Sequence, residues 1–472
     1  MEKPPSSILI LGHGVFGLST ALSLSLRPSF KHTKITLLDR SPFPSPDGSS
    51  IDTSRIIRSD YSDPAYAKMG AEAMETWRSS SSSSTQQAGV AKVLAGLGEE
   101  GRYTESGLVL VCDKGKQGEE YVRGSFENMI EMGSEKQKVK ELKDRREIDK
   151  EMGTGGGNGD WGYINTSSGW ADAEAGMRFL RKKVEALNRV TFLQGEAVSL
   201  LYSPSTSNKK KKIAGVKLST GQEITSDLTI LATGAWTGTL IDLRGRATAT
   251  GQVLCYLPLT PTEQQSFSRA PVLLNMSTGM FIIPPSPDPS KPSLKIARHG
   301  YGYSNPLSLP NPSSPAQKIS ISTPRTTRDD PTLQVPLEGQ LACRAALREM
   351  IPSLAERPFT ASKICWYTDT PKGEFLITYH PQMEGVFLAT GGSGHGYKFL
   401  PVIGERVVDV LEGRGKGVEE FGGKWGWPSE VVEDVVTEDG SRGGRPGMVL
   451  ERELRRKEGT RAETTVIVRR KR

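Results

Sequence analysis

The chain has 472 residues, with 61 Lys and Arg against 54 Asp and Glu, a formal net charge of +7, and 36% hydrophobic residues. This length exceeds one simple core and calls for two domains, or one interleaved with another, while the composition fits a soluble globular protein. No apolar run approaches the roughly 20 residues that span a bilayer, and Cys112, Cys255, Cys343 and Cys365 form no CxxC pair or metal-type cluster, which argues against zinc and for a reducing compartment.

In chain order, 8–11 is a continuous apolar run of the kind a central parallel strand needs. It runs straight into glycines, not into the longer apolar core and cleavage site of a secretion signal. Gly12-His13-Gly14-Val15-Phe16-Gly17 follows, then a helix over 18–26 and a strand over 35–39, a βαβ unit. The serine run 79–84, continuing to Gln87, predicts a surface loop, and 153–159 is a second, glycine-rich one. A helix is predicted over 172–187, with Asp172 as its cap. Strands at 191–193 and 213–218 flank a basic turn at 209–212, and a further buried strand covers 228–235. The proline-rich stretch 246–355, with short apolar pieces such as 280–284, predicts antiparallel strands joined by long loops. From Phe375 the α/β pattern returns, with a strand at 386–390, a glycine turn at 391–396 and a helix over 401–411. After Gly413 the residues are rich in Gly, Glu, Arg and Lys and predict a loosely ordered tail. No internal repeat is evident. The basic clusters at 209–212 and 469–472 lack the interleaved aromatics that stack bases, so they read as a solvated loop and tail, not a nucleic-acid surface.

Gly12, Gly14 and Gly17 meet the GxGxxG spacing. The first permits the tight turn, the second lets a pyrophosphate approach the backbone, and the third lets helix and strand pack closely. The amides that open the helix, at Val15 and Phe16, face the diphosphate with the helix dipole behind them. Asp39 ends the second strand, where a carboxylate accepts from ribose hydroxyls, and Arg40 follows it. A dinucleotide site is predicted; the motif alone does not separate FAD from NAD.

Four more stretches, taken with this fingerprint, carry a resemblance. They are Asp52-Thr53-Ser54-Arg55-Ile56-Ile57-Arg58, Leu231-Ala232-Thr233-Gly234-Ala235-Trp236, Cys365-Trp366-Tyr367-Thr368-Asp369-Thr370-Pro371 and Gly392-Ser393-Gly394-His395-Gly396-Tyr397-Lys398-Phe399. From about residue 8 to about residue 413 the chain resembles the monomeric sarcosine oxidase family of FAD-dependent amine oxidases. It leans toward the fungal fructosyl amino acid, saccharopine and pipecolate oxidases. The resemblance implies an α/β fold: a glutathione-reductase-like Rossmann FAD domain built from 1–85, 165–245 and 356–415. An interleaved α+β substrate domain on a mainly antiparallel sheet would come from 86–164 and 246–355, with 416–472 as the tail.

The resemblance also implies roles. Cys365 matches the family cysteine that carries FAD through a thioether. Ser54, Arg55, Ala232, Gly234, Gly394 and Gly396 fall on cofactor-binding positions. Arg55 and Arg58 flank the flavin ring, and Arg58 and Lys398 contact the substrate carboxylate, Lys398 also bordering the cofactor. Lys295 matches the lysine beside flavin N5 that helps activate oxygen, and His299 and His395 match active-site histidines. Tyr61, Trp236 and Tyr397 shape the pocket or belong to the core.

The reaction implied is oxidation of a secondary amine or N-substituted amino acid of the saccharopine, fructosyl, pipecolate or sarcosine type. It yields an imine that hydrolyses, and hydrogen peroxide from oxygen. A flavin- or NAD-dependent amino acid dehydrogenase that does not use oxygen is the alternative, with Lys295 as the discriminating residue. A nucleic-acid binder with a relict Rossmann unit is a distant third reading. No metal, membrane or nucleic-acid partner is expected, and a monomer is. A peroxisomal address would suit a peroxide producer, but the chain ends Arg470-Lys471-Arg472 in place of an SKL-type signal, so the cytosol is expected.

Overall fold

A computed structural model describes residues 4–82, 88–133, 138–203 and 211–456. Most of the serine run's end, the first half of the basic turn and the terminal basic cluster lie outside these residues.

The first sheet has six strands, in the order Leu376–Tyr379, Val386–Thr390, Leu228–Leu231, Ser7–Leu11, Lys34–Asp39 and Val190–Gln194. Five of these run parallel, and Leu376–Tyr379 closes one edge antiparallel. The central strand is apolar on both faces because both faces are covered. Ile8 and Ile10 meet helices Val15–Leu26, Ala173–Ala186 and Leu400–Glu412. Leu9 and Leu11 meet Leu200, Ile213 and Val216 of an antiparallel meander. Asp172 caps its helix as expected, accepting from the Ala175 N–H at 3.0 Å. No helix among the described residues is long and apolar enough to cross a membrane.

The second sheet has ten strands and is mainly antiparallel, with Thr248–Pro258 at its centre. Thr248–Pro258 pairs with Ser293–Arg298 on one side and with Ala361–Asp369 on the other. Met280–Ile283, Val272–Asn275 and, in parallel, Leu108–Cys112 continue it outward. Side chains alternate across a strand, and cross-strand partners share a face. Tyr256, Lys295 and Ile283 therefore lie in one row, and Leu254, Ala297 and Phe281 in the next. This row-by-row face is the floor of the site described below. The opposite face packs on helix Leu337–Met350 through Val253, Cys255, Ile296 and Leu347.

Four expectations need correction. Ala361–Asp369 belongs to the second sheet, not to the dinucleotide-binding layer. The strand from Leu228 ends at Leu231, and Gly234–Thr239 is a 3₁₀ helix. The proline-rich region contains two helices, Pro261–Phe267 and Leu337–Met350, besides its strands. The stretch from 416 to 456 is also not loose. Phe421 and Trp425 stack at 4.0 Å and are buried against Tyr66 and Phe375. Met448–Val449 pairs with Tyr303–Ser304, and Leu450 is buried. A few large apolar anchors hold this segment, and an average over its glycines and charges hides them.

Candidate active site

At the start of the first sheet, Gly12 sits at φ +97°, donates its N–H to the Leu38 carbonyl at 2.8 Å, and leaves no room for a Cβ, which would lie 2.4 Å from the Ala232 oxygen. A Cβ on Gly17 would meet the Gly12 oxygen at 1.8 Å, so the helix can approach the turn only through glycine. Gly17→Ala is therefore expected to cost about 1–3 kcal/mol of stability, with loss of bound flavin, checked by denaturant melts and flavin content.

Gly14 caps the helix without a side-chain hydrogen bond, and the first turn has no acidic residue. The Val15 N–H, expected to face the diphosphate, is instead donated to the Ser50 hydroxyl at 2.9 Å, so the amides after it and the positive dipole end are what remain for a diphosphate. The Asp39 carboxylate is held at the rim by the His13 N–H (3.0 Å) and the Ser41 N–H (2.9 Å). Gly12, Gly14, Asp39, Arg40, Ala232 and Gly234 all line one elongated cleft. The cradle fits a dinucleotide. Within it the Arg40 guanidinium is paired with Asp47 and lies 4.4 Å over the Trp236 ring. The Phe16 side chain turns inward, edge-on to Phe375 and beneath Gly392 and Gly396, so only its backbone faces the cleft end of the helix.

A second cavity brings together Arg55, Arg58, Lys295, His299, Cys365 and His395, with Gly394 and Lys398 beside them. These residues come from four separate stretches of chain. At one end stands Asp52, whose side chain is 1% exposed. One of its oxygens accepts from Lys295 Nζ at 2.6 Å, and the other accepts from the Tyr256 hydroxyl at 2.6 Å. Arg55 pairs with it directly, and Lys363 approaches at 3.3 Å. Lys295 also donates to the Ser54 carbonyl at 2.8 Å. Burial pushes the Lys295 ammonium down to about 7 against the pull of Asp52. Burial alone would raise Asp52, but Lys295, Arg55 and Lys363 hold it well below the ordinary carboxylate range. Arg55 Nη2 also reaches Cys365 Sγ at 3.5 Å.

At the other end Arg58 lies 4.5 Å over the Tyr61 ring and donates to the Tyr121 hydroxyl at 3.2 Å. Its Nη1 is buried and has no hydrogen-bond partner among the described residues. Lys398 donates to the Tyr61 hydroxyl and the His395 carbonyl, both at 2.9 Å. Burial, then Arg58, pushes the Lys398 ammonium well below its ordinary range. The His395 tautomer follows from its partners: Nε2 is 2.8 Å from the Gly373 carbonyl, which can only accept, so Nε2 carries the hydrogen. Nδ1 then accepts from the Tyr61 hydroxyl at 3.0 Å. Burial first, then the surrounding cations, keep both His395 and His299 uncharged.

Tyr121, Tyr256 and Lys363, and three further charged groups, escaped the sequence reading of the site. Asp52 and Asp369 stand inside motifs quoted for their neighbours. Arg442 stands in the segment read as tail, with its side chain 1% exposed. Its Nη2 donates to Asp369 Oδ1 (2.6 Å) and the Ser393 carbonyl (2.8 Å), and Nη1 reaches His299 Nδ1 at 3.1 Å. Among the expected residues, Gly396 lies behind the cavity against Phe16, and Ser54 contributes its carbonyl alone.

The model for DAO, FAD dependent oxidoreductase, matches residues 7–410. The amino acid oxidase imqH of Aspergillus flavus is 30% identical over 91% of this chain and 96% of its own. The L-saccharopine oxidase of Schizosaccharomyces pombe is 27% identical over 89% of this chain and 93% of its own. Among solved structures, the deglycating fructosamine oxidase (Amadoriase II) of Aspergillus fumigatus superposes with a TM-score of 0.72 at 26% identity, covering 94% of this chain and 95% of that one. With a cradle that fits a dinucleotide and a match over most of its length, the chain belongs to the DAO family of FAD dependent oxidoreductases.

Proposed function

We propose that this protein is an FAD-dependent oxidase of a secondary amine or N-substituted amino acid, with oxygen as the electron acceptor. Bound FAD supplies the redox chemistry, taking two electrons from the substrate C–N unit and passing them to oxygen. The observation that carries the reading is the pair of buried cations, Arg58 and Lys398, with N–H capacity left over: Arg58 Nη1 has no partner, and Lys398 has neither a carboxylate partner nor an ion pair among the described residues. Asp60 attracts both from a distance but accepts its hydrogen bonds from Tyr163, Asn165 and Ser168, so a substrate carboxylate in direct contact would offset the cost of burying the two cations. Such a carboxylate sets the substrate against the cavity floor, where the Lys295 ammonium supplies positive charge for oxygen reduction. Oxidation requires the neutral amine, and the nearby positive charge of Arg58 favours that form over the ammonium. The names of the relatives, acting on amino acids and saccharopine, agree with this class.

The reading also includes FAD joined through Cys365, which lines the cavity beside Arg55 and Lys295. Acid precipitation of the purified protein is expected to give a yellow pellet, and Cys365→Ser a white one from a still yellow solution. A white pellet from the unsubstituted protein would refute the attachment and leave the oxidase intact. The reaction itself is tested by anaerobic mixing with N-methyl and cyclic amino acids: the flavin absorbance is expected to bleach, and admitted oxygen to restore it with peroxide formed.

A further inference from the structure

We infer that Arg442 is the positioning residue for His299: anchored on Asp369 and the Ser393 carbonyl, its guanidinium takes up the imidazole lone pair and leaves His299 facing the cavity as a neutral hydrogen-bond donor, not a base. This deepens the proposed oxidase reading and rests on it. The family match ends at residue 410, so the group that orients this histidine comes from chain beyond the match. Arg442 is firmly placed. Its Nη2 donates to Asp369 Oδ1 at 2.6 Å and to the Ser393 carbonyl at 2.8 Å, and its guanidinium lies 5.5 Å over the Tyr367 ring. The next residue is pinned to the chain at His299. The Gly443 N–H donates to the His299 carbonyl at 3.3 Å, and the Gly443 carbonyl accepts from the Tyr301 N–H at 3.2 Å. A Cβ on Gly443 would lie 2.0 Å from the Gly279 nitrogen, so this approach is possible only for glycine.

Arg442 Nη1 stands 3.1 Å from Nδ1 and 3.2 Å from Nε2 of His299. A guanidinium has only hydrogens to give, so the ring must meet it with a lone pair. An imidazolium has none, and a neutral imidazole has one. Whichever nitrogen accepts, the other keeps the ring's single N–H. His299 lines the cavity and Arg442 does not, so that N–H is what the ring presents to a substrate. The groups facing the ring agree with this state. Burial, then Arg442, Arg58, His395 and Lys398, push His299 well below its ordinary range. The Tyr367 ring stands 5.8 Å away, and the Asp369 carboxylate is engaged by Arg442 and by the Thr250 hydroxyl at 2.6 Å. In this state His299 orients a substrate but does not accept its amine proton.

The test uses the flavin-loaded protein with nitrogen-15 in its five histidines, read by nuclear magnetic resonance across pH. The His299 signals are assigned by their loss in His299→Leu. The ring is expected to stay neutral and in one tautomer throughout the pH range where the protein is folded. In Arg442→Met the single tautomer is expected to be lost and the titration to move to higher pH. That variant leaves Asp369 buried without its cation, so Arg442→Met combined with Asp369→Asn is measured beside it. There the buried charge is balanced and the amide oxygen still accepts from Thr250. Turnover gives a second readout. Arg442→Met is expected to lower kcat/KM for an N-methyl or cyclic amino acid by about 10–10²-fold, and to cost nothing further in a His299→Leu background. A His299 that titrates near its ordinary value of about 6.5 in the unsubstituted protein, a ring unaltered in both Arg442 variants, or losses that add in the His299→Leu background would overturn the inference. A flavin that no amine reduces would refute the oxidase reading, while the His299 signals still decide the role of Arg442.

Discussion

Replacing Lys295 by Met is expected to slow reoxidation of the reduced flavin by about 10²–10³-fold, the loss typical when one preorganised charge-stabilising group is removed, while reduction by substrate changes little. The expectation rests on where Lys295 stands. It is buried on the cavity floor, fixed by Asp52 at 2.6 Å and the Ser54 carbonyl at 2.8 Å, with no freedom to swing into solvent. Stopped-flow mixing of pre-reduced protein with oxygen measures the step directly. The pH dependence supplies a second readout. Burial pushes Lys295 down to about 7, and an amine is charged below its pKa. Oxygen reactivity is therefore expected to fall as pH rises through about 7, and Lys295→Met to abolish that limb. Reoxidation at an unchanged rate in Lys295→Met would remove the lysine from the oxygen step.

The second large effect is expected at the carboxylate end. Arg58→Met should lower kcat/KM for an amino acid substrate by about 10²–10³-fold, the cost of truncating one side of a buried charge pair. Lys398→Met should fall in the same range. An amine lacking the carboxylate should react equally slowly with the parent and both variants, because the lost partner is then absent from either side. Binding should also be linked to protons. Burial, then Arg58, holds Lys398 well below its ordinary range, so carboxylate binding favours taking up a proton there. Affinity accordingly weakens as pH rises above the Lys398 pKa of the free enzyme. Removing the Arg58 charge lets that pKa rise and moves the decline to higher pH. Calorimetry in buffers of different ionisation enthalpy measures the uptake.

The first sheet was readable because its inner strands, such as Ser7–Leu11, Leu228–Leu231 and Val386–Thr390, are buried on both faces. Continuous apolar runs such as Ile8 to Leu11 and Val386 to Thr390 follow from that double cover, and the glycine turn between strand and helix gives the dinucleotide cradle. The Asp172 cap was readable for a local reason, a short acceptor placed just before a helix. Helix Leu337–Met350 was not, because Pro331, Pro336 and Pro352 bracket it and gave the region a loop-like average. In the site, Arg55, Arg58, Lys295, Cys365 and Lys398 were found by matching motifs, and the cavity gathers them. Asp52 was not, although its neighbours were, since a lone carboxylate becomes informative only when strands distant in sequence surround it with Lys295, Arg55 and Lys363. Arg442 had no periodic or motif context at all: it stands among Gly440, Gly443 and Gly444, and its burial depends on Asp369 from another stretch. Charges that act through long-range convergence have no local signature.

The most direct test of the flavin oxidase is a single anaerobic experiment on the purified, flavin-loaded protein. N-methylphenylalanine or pipecolate is added without oxygen, the visible spectrum is followed, and oxygen is then admitted. The account predicts full bleaching of the flavin by at least one of them, then rapid return of colour with one peroxide for each flavin reoxidised. A flavin that such substrates bleach but oxygen fails to restore would contradict the oxidase, and a flavin that no N-substituted amino acid bleaches would contradict the substrate class as well.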